Sequence, residues 1–168
     1  MYQTTVVEMV RARGYSNIQV LQDSKSAFAV AIDSHGLYTI CVYMHNENRS
    51  LKPLLSDINW HIETMSNKKN VVKHVIIVLF MRTKIPLDSF PHIQIEIFCL
   101  DDVEFNVSKA VPLHRKLDQT QVTALLAGFD IHKLPCLLQS DAQSRFMGFE
   151  VGDIIHVDSY PVMYYIVT

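Results

Sequence analysis

The hydrophobic pattern of residues 107–168 changes period several times, which predicts a small domain of mixed helix and sheet. A helix is predicted behind Asp118, because Asp118 and Gln121 have the spacing of a capping box and an apolar stripe follows at intervals of three and four residues. The stripe consists of Val122, Leu125, Leu126 and Phe129. We expect it to pack on a sheet, with Gly128 at a left-handed helix end, so that Leu126→Ala costs about 2–5 kcal/mol.

The remaining pattern of this domain predicts three strands and one short helix. A strand is expected over 134–138, since Pro135 disfavours helical backbone in the residue before it. Asp141 stands where it can cap a single helical turn that stops at Gly148. The two closing apolar strands are expected at 154–157 and 162–167.

The first hundred residues follow a different order, which is typical of a separate α/β layer. After a short first helix, two apolar runs on either side of Asp33-Ser34-His35-Gly36 predict a hairpin, and an amphipathic helix begins at Leu51. The hairpin runs lie at 27–32 and 37–44, and two further strands are expected at 71–80 and 93–100. The acidic stretch 101–104 is the expected boundary. The predicted fold class is therefore α/β (α+β), with domains at 1–103 and 107–168.

A series of short motifs runs in order through the C-terminal domain. They are Val111-Pro112-Leu113-His114, the helix from Asp118, Leu134-Pro135, Ser140-Asp141, Arg145-Phe146, Gly148, Gly152-Asp153-Ile154-Ile155 and Tyr164-Tyr165-Ile166-Val167. Together they resemble the C-terminal assembly domain of the fifth subunit shared by eukaryotic nuclear RNA polymerases, a family with a counterpart in archaeal RNA polymerase. Ala142 stands where this family usually has proline, and the loop 158–161 is shorter and lacks the family's arginine. Such trimming resembles the large-DNA-virus members of the family.

The N-terminal half resembles a shortened form of the jaw domain of the same subunit, whose fold is similar to that of restriction endonucleases. The resembling features are Arg13-Gly14-Tyr15, the helix from Leu51, the strand 75–79 and a proline in the loop after it. The resemblance implies a noncatalytic polymerase subunit that docks on the largest subunit, contacts other subunits and borders the downstream duplex DNA.

The same resemblance implies two sets of contact residues. Partner contacts are expected in the C-terminal domain, at His114, Pro135, Asp141, Arg145, Phe146, Gly148, Tyr160 and Tyr164. In the family a proline-bearing loop faces downstream DNA, and here the corresponding loop carries Arg82, Lys84 and Pro86. Two cations in a short loop predict contacts to backbone phosphates that read no sequence. An ordinary solvated loop is the alternative interpretation.

Composition limits the classes of protein that remain open. With 168 residues, 49% apolar and 19% charged, the chain has the composition of a globular protein. The net charge of -2 argues against a polybasic protein that wraps nucleic acid, so any DNA contact is expected to be local. The longest apolar run, Val75 to Met81, is too short to cross a membrane, and three widely separated cysteines suggest a reducing compartment. We expect an intracellular protein of the nucleus or, if viral, of the host transcription site and the virion, and no homo-oligomer.

The endonuclease-like fold raises the question of catalytic chemistry. Metal-dependent nucleases of this kind need an aspartate and a Glu-X-Lys pair on a strand, but here Phe98 stands two residues after Glu96 and Asp88 is an uncertain partner. Glu96 is interpreted as a residue on the solvent side of its strand. No pair among the eight histidines has a spacing of three or four residues, and no cofactor is expected in this chain. A divergent or degenerate nuclease-like enzyme and a free-standing adaptor protein remain the alternatives to the polymerase subunit.

Overall fold

The chain divides into two compact units, Met1–Phe105 and Asn106–Thr168. A computed structural model describes residues 2–20, 29–33, 38–45, 51–66, 71–80, 90 and 92–168. Both units combine helices with a sheet, so the predicted α+β class is confirmed. No helix among these described residues has the length and apolar character needed to cross a membrane.

The N-terminal unit is built on a mixed five-stranded sheet. Its helices are α1 (Tyr2–Ala12) and α2 (Leu51–Ser66), and its strands are β1 (Tyr15–Val20), β2 (Ala29–Asp33), β3 (Tyr38–His45), β4 (Val71–Leu79) and β5 (Gln94–Cys99). The strands follow chain order across the sheet, antiparallel from β1 to β3 and parallel from β3 to β5. The predicted hairpin is confirmed as the antiparallel pair β2–β3, and α2 provides the crossover that parallel strands require.

The N-terminal core forms where the uniformly apolar strand β4 meets α2. Residues 75–79 of β4 are buried, as expected for a parallel strand covered on both faces. Leu54 and Ile58 of α2 pack with this strand, together with Tyr43 and Phe90. Strand β1 was not predicted from the sequence. All of β1 is described and none of its residues is buried, so it lacks the apolar alternation by which strands are recognised.

The C-terminal unit contains a separate four-stranded sheet. Its strands are β6 (His114–Lys116), β7 (Cys136–Leu137), β8 (Ile154–Val157) and β9 (Met163–Val167), and its helices are α3 (Gln119–Leu126) and α4 (Ala142–Met147). The order across the sheet is β6-β8-β9-β7, with antiparallel pairs except for the parallel pair β7–β9. The core lies on one sheet face, where Phe149 packs with Ile155, Val157 and Val167.

Both predicted helix starts in this unit are confirmed. The Asp118 carboxylate accepts a hydrogen bond from the Gln121 amide at 2.8 Å, and the Gln121 side chain accepts one from the Asp118 amide at 3.0 Å. This reciprocal pair is a capping box at the start of α3. Asp141 accepts from the Gln143 amide at 2.8 Å and caps α4, which ends at Gly148 in a left-handed conformation with φ of 70°.

The structure corrects two expectations about α3. The whole of α3 is described and no residue in it is buried, while Phe129 just beyond it is 59% exposed. The apolar stripe is therefore only partly covered, because the core lies on the opposite face of the sheet, beside α4. Gly128 does not reverse the helix: Ala127 ends α3 in a right-handed conformation, and Asp130 caps the next turn by accepting from the His132 amide.

Candidate partner-binding surface of the C-terminal unit

Three strands of the C-terminal sheet bring an arginine, a histidine and a tyrosine into one cross-strand row. Arg115 of β6 is paired with His156 of β8, and His156 is paired with Tyr164 of β9. Residues paired in this way point to the same sheet face, whereas Ile155 and Val157 point to the core on the other face. The rings of His156 and Tyr164 lie 5.2 Å apart at 48°, which is a tilted aromatic contact.

A groove of about 560 Å³ separates this row from α3. Its lining residues are Arg115, Lys116, Leu117, Gln121, Ala124, Leu125, His156 and Tyr164. We call this feature the α3 groove. Its volume falls within the range of ligand-binding clefts, and its lining combines leucines with an aromatic pair and the exposed Arg115.

Lys116 is paired with the core residue Ile155, so its side chain points to the sheet face opposite Arg115; both cations lie next to carboxylates of the same unit. Lys116 Nζ is 2.8 Å from Asp153 Oδ1, and the other oxygen of Asp153 accepts from the Glu150 amide at 2.9 Å. Arg115 Nη2 is 3.4 Å from Asp158 Oδ2, with both side chains more than half exposed. Exposed pairs of this kind contribute only about 0–1 kcal/mol. A carboxylate from another molecule can therefore compete for Arg115 at little cost.

Three of the predicted partner-binding residues have clear structural roles within the unit. Asp141 is the cap of α4, and Gly148 provides the left-handed residue that ends it. Phe146 is 3% exposed, so its side chain belongs to the interior of the unit. The motif around the second helix is thus in large part a signature of the local fold.

The other predicted partner-binding residues belong to several elements and loops of the unit. Tyr164 is the member of this predicted set that lines the α3 groove. Tyr160 is fully exposed and precedes a cis bond to Pro161. The rest are Pro135, which is exposed and accepts from the Ile166 amide, Arg145, which is half-buried, and His114, whose Nδ1 is 2.6 Å from the Pro112 carbonyl. Their contacts with a partner stay a prediction.

The sequence-based prediction missed most of the α3 groove. Arg115, Lys116 and His156 were not among the predicted contact residues. A signal was present, because His156 is a polar residue inside the apolar run 154–157 and alternation places it opposite the core side chains. The pairing of that strand with β6 could not be read from the sequence.

The predicted DNA-proximal loop cannot be placed in the same way. Arg82, Lys84 and Pro86 lie outside the described residues, as does Asp88 of the nuclease alternative. The strand before them, β4, is described up to Leu79. A contact between these residues and DNA stays a prediction.

A buried ion cluster in the N-terminal unit corrects the interpretation of Glu96. Arg13 Nη1 and Nη2 donate to the two oxygens of Glu96 at 2.7 and 2.9 Å, which is a bidentate pair. His74 Nε2 lies 2.6 Å from Glu96 Oε1. The side chains of Arg13 and His74 are only 4% and 8% exposed. Glu96 is therefore an internal counter-ion rather than a solvent-side residue.

The environment of Glu96 also bears on the nuclease alternative. Burial by itself raises the pKa of Glu96, but the contacts with His74 and Arg13 together outweigh it and lower this pKa from 4.5 to about 2. Phe98, at the position a nuclease lysine would need, is buried with the Arg13 guanidinium 5.9 Å from its ring centroid. Both oxygens of Glu96 accept hydrogen bonds from the Arg13 guanidinium, which leaves this carboxylate poorly suited to hold a metal ion. Among the described residues, no group of three or more histidine, cysteine or acidic side chains could hold one.

Comparison with known proteins agrees with the C-terminal part of the sequence analysis. Residues 105–160 match the family model described as RNA polymerase Rpb5, C-terminal domain. The matched segment is about a third of the chain and lies almost entirely within the second compact unit. A search of curated proteins found no match. The family match supports an RNA polymerase subunit similar to Rpb5.

Proposed function

We propose that this protein is a noncatalytic subunit of a multisubunit DNA-directed RNA polymerase. Its C-terminal unit docks on the largest subunit, and its N-terminal unit borders downstream DNA as a jaw. The observation that carries the proposal is the match of residues 105–160 to the Rpb5 C-terminal domain. Polymerisation and the magnesium ion it requires then belong to the large subunits.

The surface of the C-terminal unit supports a role in assembly. Several large apolar side chains are more than half exposed there: Leu113, Phe129, Leu138, Val151 and Tyr160. Scattered exposed apolar residues are common, and in an assembled polymerase a partner would cover some of these. The net charge of -2 fits a subunit that adds little to the DNA affinity of the whole enzyme.

We further propose that the chain is a shortened relative of viral type, because the loop 158–161 is trimmed and lacks the family's arginine. Such a protein would act in the nucleus or at the transcription site of an infected host cell, and would be packaged in the virion. It would be present as one copy per polymerase rather than as a homo-oligomer.

Purification of the full chain from its native source tests the polymerase assignment. We expect it in stoichiometric amount with two chains several times its size, identified by mass spectrometry as the large polymerase subunits. Recovery mainly as a free 19.3 kDa monomer would contradict the proposal. Recovery in a stable complex without polymerase subunits would support the adaptor alternative, and DNA cleavage by the isolated chain would support the nuclease alternative.

A further inference from the structure

We propose that the α3 groove binds a segment of another polymerase subunit in which a large apolar side chain is flanked by a carboxylate. The inference deepens the proposed function and rests on it, since it assigns the docking contact to a surface that the sequence did not indicate. The occupant is a polypeptide segment of a chain other than this one.

The apolar part of the α3 groove is complementary to an apolar side chain. Leu117 and Leu125 line it together with the ring of Tyr164, and Leu125 belongs to the stripe of α3 that the unit leaves only partly covered. An amphipathic helix gains most of its stability from burial of such a stripe. A large apolar side chain from a partner would fill the cleft and complete that burial, as anchor residues do at the centre of protein interfaces.

The polar part of the α3 groove is complementary to a carboxylate beside that anchor. Arg115 stands at one end of the cross-strand row, and its ionic contact with Asp158 is long and exposed. A guanidinium binds a carboxylate through two parallel hydrogen bonds, which is a stronger arrangement than this contact. An acidic residue next to the apolar anchor would place its carboxylate at Arg115.

The same features disfavour a nucleic acid as the occupant. A phosphate backbone carries a charge on every nucleotide, and at Arg115 it would meet the carboxylate of Asp158. Its affinity would depend on several phosphate contacts, whereas the lining offers leucines and an alanine over much of its extent. One apolar side chain with one carboxylate matches the lining better.

Two groove variants with matched controls test the proposal in the full chain. Ala124→Trp fills the groove from an exposed position of α3, and Ala127→Trp adds the same side chain at an exposed position of the same helix end, outside the lining. Arg115→Glu reverses the charge at the groove, and Lys133→Glu makes the same charge change at another exposed position of the unit. We expect at least a tenfold loss of recovery with the large subunits for both groove variants and less than twofold for both controls. Unchanged circular dichroism and melting temperature identify variants that still fold.

Photo-crosslinking within the purified polymerase identifies the chemistry of the occupant. With photo-leucine, a diazirine analogue of leucine, in place of the groove-lining Leu125, we expect cross-links to another subunit, at a segment with an acidic residue next to a large apolar one. The same probe in place of Ala127 should not reach that segment. Cross-links from position 125 to nucleic acid, to this chain itself or to a segment without an acidic residue would overturn the inference.

Recovery of the wild-type chain with the large subunits distinguishes a wrong groove assignment from a wrong polymerase assignment. If the wild-type chain is recovered with the large subunits and both groove variants are recovered equally well, the groove assignment is wrong and the polymerase assignment stands. If the wild-type chain is not recovered with polymerase subunits at all, the proposed function fails and the groove assignment falls with it.

Discussion

Arg13 and Glu96 are 83 positions apart in the sequence and form a bidentate ion pair in the folded N-terminal unit. Each residue has an ordinary local interpretation: Arg13 follows the first helix, and Glu96 alternates with apolar residues on a strand. The local pattern could not show that they meet, because their contact depends on how α1 lies relative to β5. The pairing explains why a charged residue is tolerated here, since a buried charge is costly unless it is paired.

Removal of the Glu96 charge should destabilise the N-terminal unit. Glu96→Gln leaves the nearly buried Arg13 guanidinium without its counter-charge, so we expect a loss of about 3–5 kcal/mol in the free energy of unfolding. Urea denaturation followed by the fluorescence of Trp60, the single tryptophan and a residue of α2, measures this unit. The control is Glu63→Gln, which removes the charge of an exposed glutamate on α2. This variant should change the free energy of unfolding by less than about 0.5 kcal/mol. Equal effects of the two variants would show that the ion pair contributes nothing specific.

The same carboxylate should make stability depend on pH in the acid range. Because the pKa of Glu96 is about 2 when folded and 4.5 otherwise, folding favours the carboxylate and the contribution is complete above about pH 4.5. The contribution of this ionisation to the free energy of unfolding is about 3 kcal/mol, of which about 2 kcal/mol should be lost by pH 3. We therefore expect the stability difference between wild type and Glu96→Gln to narrow from pH 6 to pH 3 in urea titrations. A constant difference over this range would mean that the pKa of Glu96 is close to normal.

At the scale of elements, the predictions held where a helix or strand carries its own boundary signals. Asp118 and Gln121 define the start of α3, and Asp141 and Gly148 define both ends of α4, through contacts within a few residues. Strands β1 and β6 were missed, since β1 has no buried residue and β6 is three residues long. Strand β1 forms by pairing with β2 and strand β6 by pairing with β8, and the local sequence does not reveal these pairings.

The partial burial of α3 changes what its apolar stripe contributes to stability. The Leu126 side chain is only half-buried, so we expect Leu126→Ala to cost about 1 kcal/mol, below the range for a fully buried leucine. Ile155→Ala, at a position with no exposure in the core of the same unit, should cost about 2–5 kcal/mol. Thermal unfolding of the C-terminal unit measures both variants. A loss at Leu126 as large as that at Ile155 would show that α3 is more deeply packed than the structure indicates.

The end of α4 should depend on glycine at one position and tolerate alanine at a nearby one. Gly148→Ala places a side chain at a left-handed φ of 70° and should cost about 1–2 kcal/mol. Gly128 has no positive φ, and an added Cβ there would meet nothing within 4 Å, so Gly128→Ala should be neutral or slightly stabilising. Urea denaturation followed by circular dichroism distinguishes the two. If both substitutions lower the free energy of unfolding equally, the loss in Gly148→Ala does not come from its left-handed position at the helix end.

At the scale of the whole molecule, the two units carry unequal information about function. The C-terminal unit combines short motifs in a fixed order with a matching family model, so its relationship could be recognised from sequence. The N-terminal unit has a sheet of five strands, four of which were predicted, but its role as a jaw stays a prediction that rests on resemblance. The α3 groove was missed for a further reason: it exists only after α3 and three strands from separate parts of the chain come together.

The predicted DNA contact of the N-terminal unit can be tested in the assembled polymerase. Arg82 and Lys84 are expected to meet backbone phosphates, and each phosphate contact releases about one counterion. Replacing both with alanine should therefore reduce the salt dependence of downstream DNA binding by about one to two counterions, measured as the slope of log affinity against log salt. The effect should be small and should leave assembly and nucleotide addition nearly unchanged, because the chain has a net charge of -2 and most DNA affinity must come from the large subunits.

A matched charge change elsewhere in the same unit separates a local contact from a general electrostatic effect. Arg11 and Lys73 are exposed residues of α1 and β4. Replacing both with alanine also removes two positive charges, one from arginine and one from lysine. We expect this control to leave the salt slope and the lifetime of the elongation complex unchanged. If the Arg82 and Lys84 variant behaves in the same way as the control, the loop is an ordinary solvated segment and its place beside DNA is refuted. If both variants lower the slope equally, the effect comes from the overall charge of the N-terminal unit rather than from a phosphate contact at this loop.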